Sequence, residues 1–242
     1  MREALRAELL KTRSGYAMLG LFAYAIASPA ILLCAGPSLD ELTSLGDRAA
    51  TRTVFGAAAS CMVAAMFLGS YVVTREYYYK SVLRAFLQHG RTRVFVAKAL
   101  TAVVGGLSAG AIGVAAWAFG TWAVLCTQGL SPVVDGQLWG AAAGTVWGSG
   151  LAGLWGASVA WIIRGYYPTT AVVLLFPLAV EFPLLLNAPE VARFLPGGAL
   201  AGLAQIPVKG LLPAPESALL FLLWTAVATV AARRLVQRRE AV

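Results

Sequence analysis

Six apolar stretches dominate this chain, near residues 15–36, 53–74, 94–125, 137–163, 169–186 and 217–232. Each is long enough to cross a bilayer core of about 30 Å, which takes roughly 17–25 helical residues. Lipid offers no hydrogen-bond partner, so a spanning backbone must satisfy itself as a helix or a closed barrel. Strict apolar/polar alternation is absent, which leaves helices. Composition agrees: 59% of the 242 residues are hydrophobic and only 12% charged, against about 25% charged in soluble domains. Too few charges exist to cover a water-facing surface. The third stretch exceeds one bilayer thickness, so it is expected to tilt or project.

The net charge of +8 would point to nucleic acid in a soluble protein. Here positive-inside topology and anionic lipid explain it, and no nucleic-acid partner is expected. With an inner N-terminus and six alternating spans, only Arg48, Arg52, Arg193 and Lys209 fall outside, against 15 of the 19 Lys and Arg residues inside. Five or seven spans would put the basic tail on the wrong side. Both termini are therefore expected in the cytoplasm.

Residues 1–14 read as an amphipathic helix in the membrane plane. Leu5, Leu9 and Leu10 recur at helical spacing, with Arg2, Glu3, Arg6 and Arg13 elsewhere. A solvated basic tail is the other reading. The following apolar run, about 22 residues, is too long for a typical secretory signal and reads as a span. Residues 37–52, acidic and polar, are expected to form an ordinary outer loop. Residues 187–215 are too apolar for a free loop and, with Pro196, Gly197, Gly198, Pro207, Gly210, Pro213 and Pro215, too broken for a span. Short re-entrant helices in the outer membrane face are expected there. Cys34 and Cys126 fall near outer span ends, so a disulfide and separate thiols both stay open. No metal-ligand spacing occurs.

Three constellations stand out. Between the second and third spans lies the basic segment Arg75 to Lys98, REYYYKSVLRAFLQHGRTRVFVAK. Tyr79, Val82, Leu83, Phe86 and Leu87 share one helical face, while Glu76, Lys80 and Arg84 recur on another. Gly90 can end the helix. Such a surface helix either docks a cytoplasmic subunit or only anchors the fold. In the fourth span Gly140, Gly144, Gly148, Ala152 and Gly156 form a flat stripe, and Gly106 and Gly110 add a GxxxG in the third. The stripe suits tight packing within the chain, a sliding surface, or a seam between two copies. Glu181 is the one carboxylate well inside an apolar run, between Pro177 and Pro183. Its insertion costs about 2.5–3.5 kcal/mol at a span centre. It is either a polar point on a transport path or a structural group serving backbone freed by the prolines. GxxxxGK[ST] and HExxH are both absent. The chain is thus not expected to be an enzyme by itself.

An amphipathic start (ALRAELLKTRS), six spans, the segment GSYVVTREYYYKSVLRAFLQHGRTRVFVAK after the second span, and a broken apolar stretch before the last together resemble the permease subunit of ABC-2 type ABC transporters of bacteria. The resemblance implies an all-α integral membrane protein with a type V ABC exporter-like fold, a single transmembrane domain over 1–242, in the bacterial cell membrane. It implies a second permease copy, identical or paralogous, and separate P-loop ATPase subunits that bind the ATP and magnesium. No cofactor would sit in this chain. The coupling helix would lie within residues 75–92 and comprise Glu76, Tyr77, Tyr79, Lys80, Val82, Leu83, Arg84, Phe86 and Leu87, with Glu76 at its head. Many relatives have Gly-Thr where this chain has Lys80-Ser81. The cargo would be amphipathic: a peptide antibiotic, drug or lipid. A membrane-embedded enzyme and a non-transporting scaffold or immunity protein are the competing functions.

Overall fold

A computed structural model describes Glu8, Leu10, residues 16–34 and residues 39–238. The remainder of the expected in-plane helix 1–14, and the end of the basic tail, lie outside the described residues. Every described element is a helix, in the order α1 (Tyr16–Cys34), α2 (Leu39–Ser44), α3 (Asp47–Tyr78), α4 (Val82–His89), α5 (Arg91–Thr127), α6 (Gly136–Ile163), α7 (Tyr166–Asn187), α8 (Pro189–Ala192), α9 (Pro196–Leu203) and α10 (Ala214–Arg238). Helices α1, α3, α5, α6, α7 and α10 are long and apolar enough to cross a membrane. The chain is a multi-pass helical membrane protein.

The six expected spans are thus present, the last five of them with longer ends. Helix α3 begins at Asp47 and takes in part of the segment read as a polar loop. Helix α5 runs for 37 residues, about 55 Å at 1.5 Å per residue, well beyond one bilayer core. Its overhang packs against the overhanging ends of α3 and α6. Residues 187–215 form the short helices α8 and α9, and α9 is almost wholly buried.

Helices α3 and α6 make the centre of the bundle, with 72% and 67% of their apolar windows buried. For α1, α7 and α10 the shares are only 28%, 28% and 22%. The peripheral helices therefore keep broad apolar faces for lipid or another protein. Tyr16 and Arg238 lie at the same end of the bundle, which also carries α4 and Arg164; we call it the basic end.

At the opposite end, the turn before α6 is tied to the start of α3. The carboxylate of Asp135 accepts from the Leu138 N–H at 2.9 Å, capping α6, and from Arg52 at 2.7 Å. Ser131 N–H donates to Asp47 and Val133 N–H to Thr51. The Leu138 hydrogen bond, then that of Arg52, holds the Asp135 carboxyl below the usual carboxylate range. Because the folded value is lowered, this tether is fully present above the unfolded value of about 3.9. It is lost as pH falls through the folded value. Hydrogen exchange of residues 129–138, corrected for intrinsic rates, should stay flat from pH 8 to 5 and rise below about pH 4. In Asp135→Asn the acid step should disappear; an unchanged step would assign it elsewhere.

Candidate functional site

The segment between the second and third spans is two helices, where the sequence led us to expect one over 76–87. Helix α3 ends in a hydrogen-bonded reversal: Ser81 N–H donates to the Glu76 carbonyl at 2.9 Å and Lys80 N–H to that of Tyr77 at 3.2 Å. This is a Schellman arrangement, and it requires a left-handed residue at its turning point. Lys80 fills that place at φ 52°. Glycine has no penalty for such a φ, and here a lysine adopts it. The helical Glu76–Lys80 pair therefore does not form: Lys80 is exposed, and Glu76 faces inward.

Helix α4 then starts at Val82 and ends at Gly90, whose φ of 78° bears out the expected stop. Its inner side is Val82, Ala85 and Phe86. The Phe86 ring stacks on buried Trp161 of α6 at 5.9 Å, and Tyr77 meets the same indole edge-on at 5.9 Å. Leu83 and Leu87, expected beside Val82 and Phe86, point outward with Tyr79 and Arg84; Leu87 is 80% exposed. The apolar residues thus divide between two faces. One plugs α4 into the bundle through Trp161. The other leaves two leucines, a tyrosine and an arginine open.

Where α3 ends and α5 begins lies a charge cluster that the sequence did not reveal. Lys98, in the first turns of α5, is 1% exposed. Its ammonium lies 2.9 Å from Glu8 and 3.1 Å from Glu76, and donates to the Val72 carbonyl at 2.9 Å. Both glutamates are buried too. One cation thus joins the N-terminal segment, the end of α3 and the start of α5. Spacing within the chain gave no signal, because the partners lie 22 and 90 residues away. The only hint was a lysine within an apolar run, where charge demands a partner.

Glu181 is 4% exposed. One oxygen accepts from the Gly197 N–H in the first turn of α9 at 3.2 Å. It therefore serves the open N-terminal N–H groups of another helix, and not backbone freed by its own flanking prolines. A side chain on Gly197 would strike the second oxygen, so glycine makes room for the carboxylate.

The glycine stripe faces other parts of the same chain. A Cβ on Gly156 would overlap the Met66 carbonyl of α3, one on Gly144 the Leu203 carbonyl of α9, and one on Gly106 the Ser149 carbonyl of α6. Gly110 packs on the Ser149 side chain, Gly148 on Met62 and Gly140 on Gln205. As a seam between copies, the stripe has no open face. All three cysteines are free thiols, with Cys34 and Cys126 exposed and Cys61 buried. Among the described residues no three His, Cys, Asp or Glu side chains gather as a metal site. No protein-family model matches the sequence, and no curated protein matches it either.

Proposed function

We propose that this chain is the membrane-spanning subunit of an ATP-driven exporter, of the ABC-2 permease kind its sequence resembles. The observation that carries the reading is the two-faced helix α4: one side locked onto Trp161, the other open with Leu83, Arg84 and Leu87. A force applied to the open side passes through the Phe86–Trp161 stack into α6, and through α6 into α3. In this reading the basic end faces the cytoplasm and separate ATPase subunits hydrolyse ATP there. A second copy pairs through the exposed faces of the peripheral helices, and an amphipathic substrate crosses. Glu76 belongs to the frame that positions α4, and not to the surface the ATPase touches.

Tagged chain from its native cells should bring down a P-loop ATPase, and vesicles holding both should move an amphipathic substrate on ATP addition. If no ATPase co-purifies and ATP drives nothing, the exporter reading goes. Leu83→Asp with Leu87→Asp should cut ATPase capture about tenfold or more, as truncation of interface anchors does. Because both side chains are exposed, fold stability should change by no more than about 0.5 kcal/mol each. Undiminished capture and transport in that variant would remove α4 from the mechanism.

A further inference from the structure

Two hollows follow one another along α3, both between α1 and α7. The larger, about 320 Å³, lies toward the end away from α4. Its wall is mostly aliphatic, with Leu33, Met62, Met66, Leu185 and Leu200 among its residues beside Phe182, Thr53 and Ser60, and Glu181 is the one ionisable group in it. The smaller, about 250 Å³, lies nearer the basic end. Four aromatic rings line it: Tyr24 of α1, Phe67 and Tyr71 of α3, and Tyr166 of α7. Tyr71 and Tyr166 meet edge to face at 6.5 Å. Met66 borders the first hollow and its neighbour Phe67 the second, so the two lie next to each other along α3, and we call the pair the groove.

The two stations select the same chemistry by different means. Aromatic faces carry negative potential and attract cations, quaternary ammonium groups above all. The larger hollow offers an apolar bed of a volume at the lower end of small-molecule pockets, roughly 300–1,000 Å³. Its carboxylate has no ion-pair partner among the described residues. The Gly197 N–H uses one acceptor position, and a carboxylate has about four. In an apolar bed a carboxyl group is ionised only where a cation accompanies it, and this bed suits a cation that brings its own hydrocarbon.

We propose that this groove binds a lipophilic ammonium ion, its hydrocarbon in the aliphatic hollow against Glu181 as counter-ion, with the tyrosine-lined hollow as a second station for the cationic head. Binding stands on the groove alone. That the ion is cargo rests on the exporter reading.

The test uses the whole chain in nanodiscs of phosphatidylglycerol, which carries no amine. Dodecyltrimethylammonium is the probe and dodecanol its neutral counterpart, with uptake by empty discs subtracted. The cation should bind saturably, and dodecanol should not displace it. Glu181→Gln keeps an oxygen for the Gly197 N–H and removes only the charge; it should weaken the cation about tenfold. Tyr71→Leu should weaken it about fivefold. Equal binding of probe and dodecanol, or wild-type affinity in Glu181→Gln, overturns the proposal and leaves an apolar hollow for lipid tails. If Glu181→Gln does not fold, the wild-type chain decides: dicyclohexylcarbodiimide labelling of Glu181, read by mass spectrometry, should be blocked by the probe and not by dodecanol. Labelling that the probe leaves unchanged overturns the proposal equally. Adding phosphatidylethanolamine separates the sources of the amine: displacement of the probe names a lipid headgroup as the occupant, within the same chemistry. Specific binding without ATP-driven uptake in ATPase-loaded vesicles upholds the groove and counts against the exporter reading alone.

Discussion

Replacing Lys98 with methionine should destabilise the folded chain by about 3–5 kcal/mol, the cost of removing one partner from a buried ion pair. Methionine keeps most of the volume of the lysine stem, so the loss is electrostatic and not a cavity. The Lys98 ammonium is 1% exposed and lies 2.9 Å from Glu8 and 3.1 Å from Glu76. Without it two buried carboxylates face each other, and the Val72 carbonyl loses its extra donor. The same physics says the cluster as a whole contributes little net stability, because desolvating three charges cancels most of their attraction. The combined variant Lys98→Met, Glu76→Gln, Glu8→Gln should therefore recover most of the loss. Denaturant titration in detergent separates the two numbers. A Lys98→Met cost below about 1 kcal/mol would mean that water reaches the cluster and screens it. What such a cluster would contribute is alignment, with Lys98 holding Glu8 against α3 and α5.

That cluster also marks where sequence reading stopped. Spans were legible because bilayer thickness sets a minimum apolar length, and all six recurred. The stop at Gly90 was legible because a positive φ favours glycine. The start of α4 was misplaced by about two turns, because a left-handed lysine gives no local sign. Periodicity puts Leu83 and Leu87 on one apolar face with Val82 and Phe86. Periodicity locates an apolar stripe, but tertiary contact decides which part is covered, and Trp161 takes only Val82's side of the helix. Glu181 was legible as an anomaly, yet its partner Gly197 sits on another helix 16 residues on. The flatness of the glycine stripe was plain. Whether its neighbour was this chain or a second copy depended on topology that no single helix encodes.

The neighbour makes a quantitative difference, and substitution of Gly156 exposes it. Alanine there should cost about 3 kcal/mol or prevent folding, at the upper end of what overpacking costs, because the added methyl would meet the Met66 backbone carbonyl and no flexible side chain. Gly69→Ala should behave alike, since its methyl would meet the Gly153 carbonyl from the other side of the α3–α6 contact. Small residues let membrane helices approach this closely, and here backbone touches backbone along the most buried pair in the bundle. Gly140→Ala should cost far less, because its nearest obstacle is the side-chain amide of Gln205, 2.8 Å away, which can rotate. Gly20→Ala on α1 meets nothing within 4 Å and should be neutral or stabilising by up to about 1 kcal/mol, the helix preference of alanine over glycine. Unfolding midpoints in detergent would rank the four. If Gly156→Ala left stability unchanged but shifted the chain from dimer to monomer in cross-linking, the stripe would be a seam between copies after all. The order Gly156 and Gly69, then Gly140, then Gly20 instead assigns the glycines to a rigid α3–α6 slab. In the exporter reading, such a slab, joined to α4 through Trp161, is the rigid part that a push on α4 would reach first.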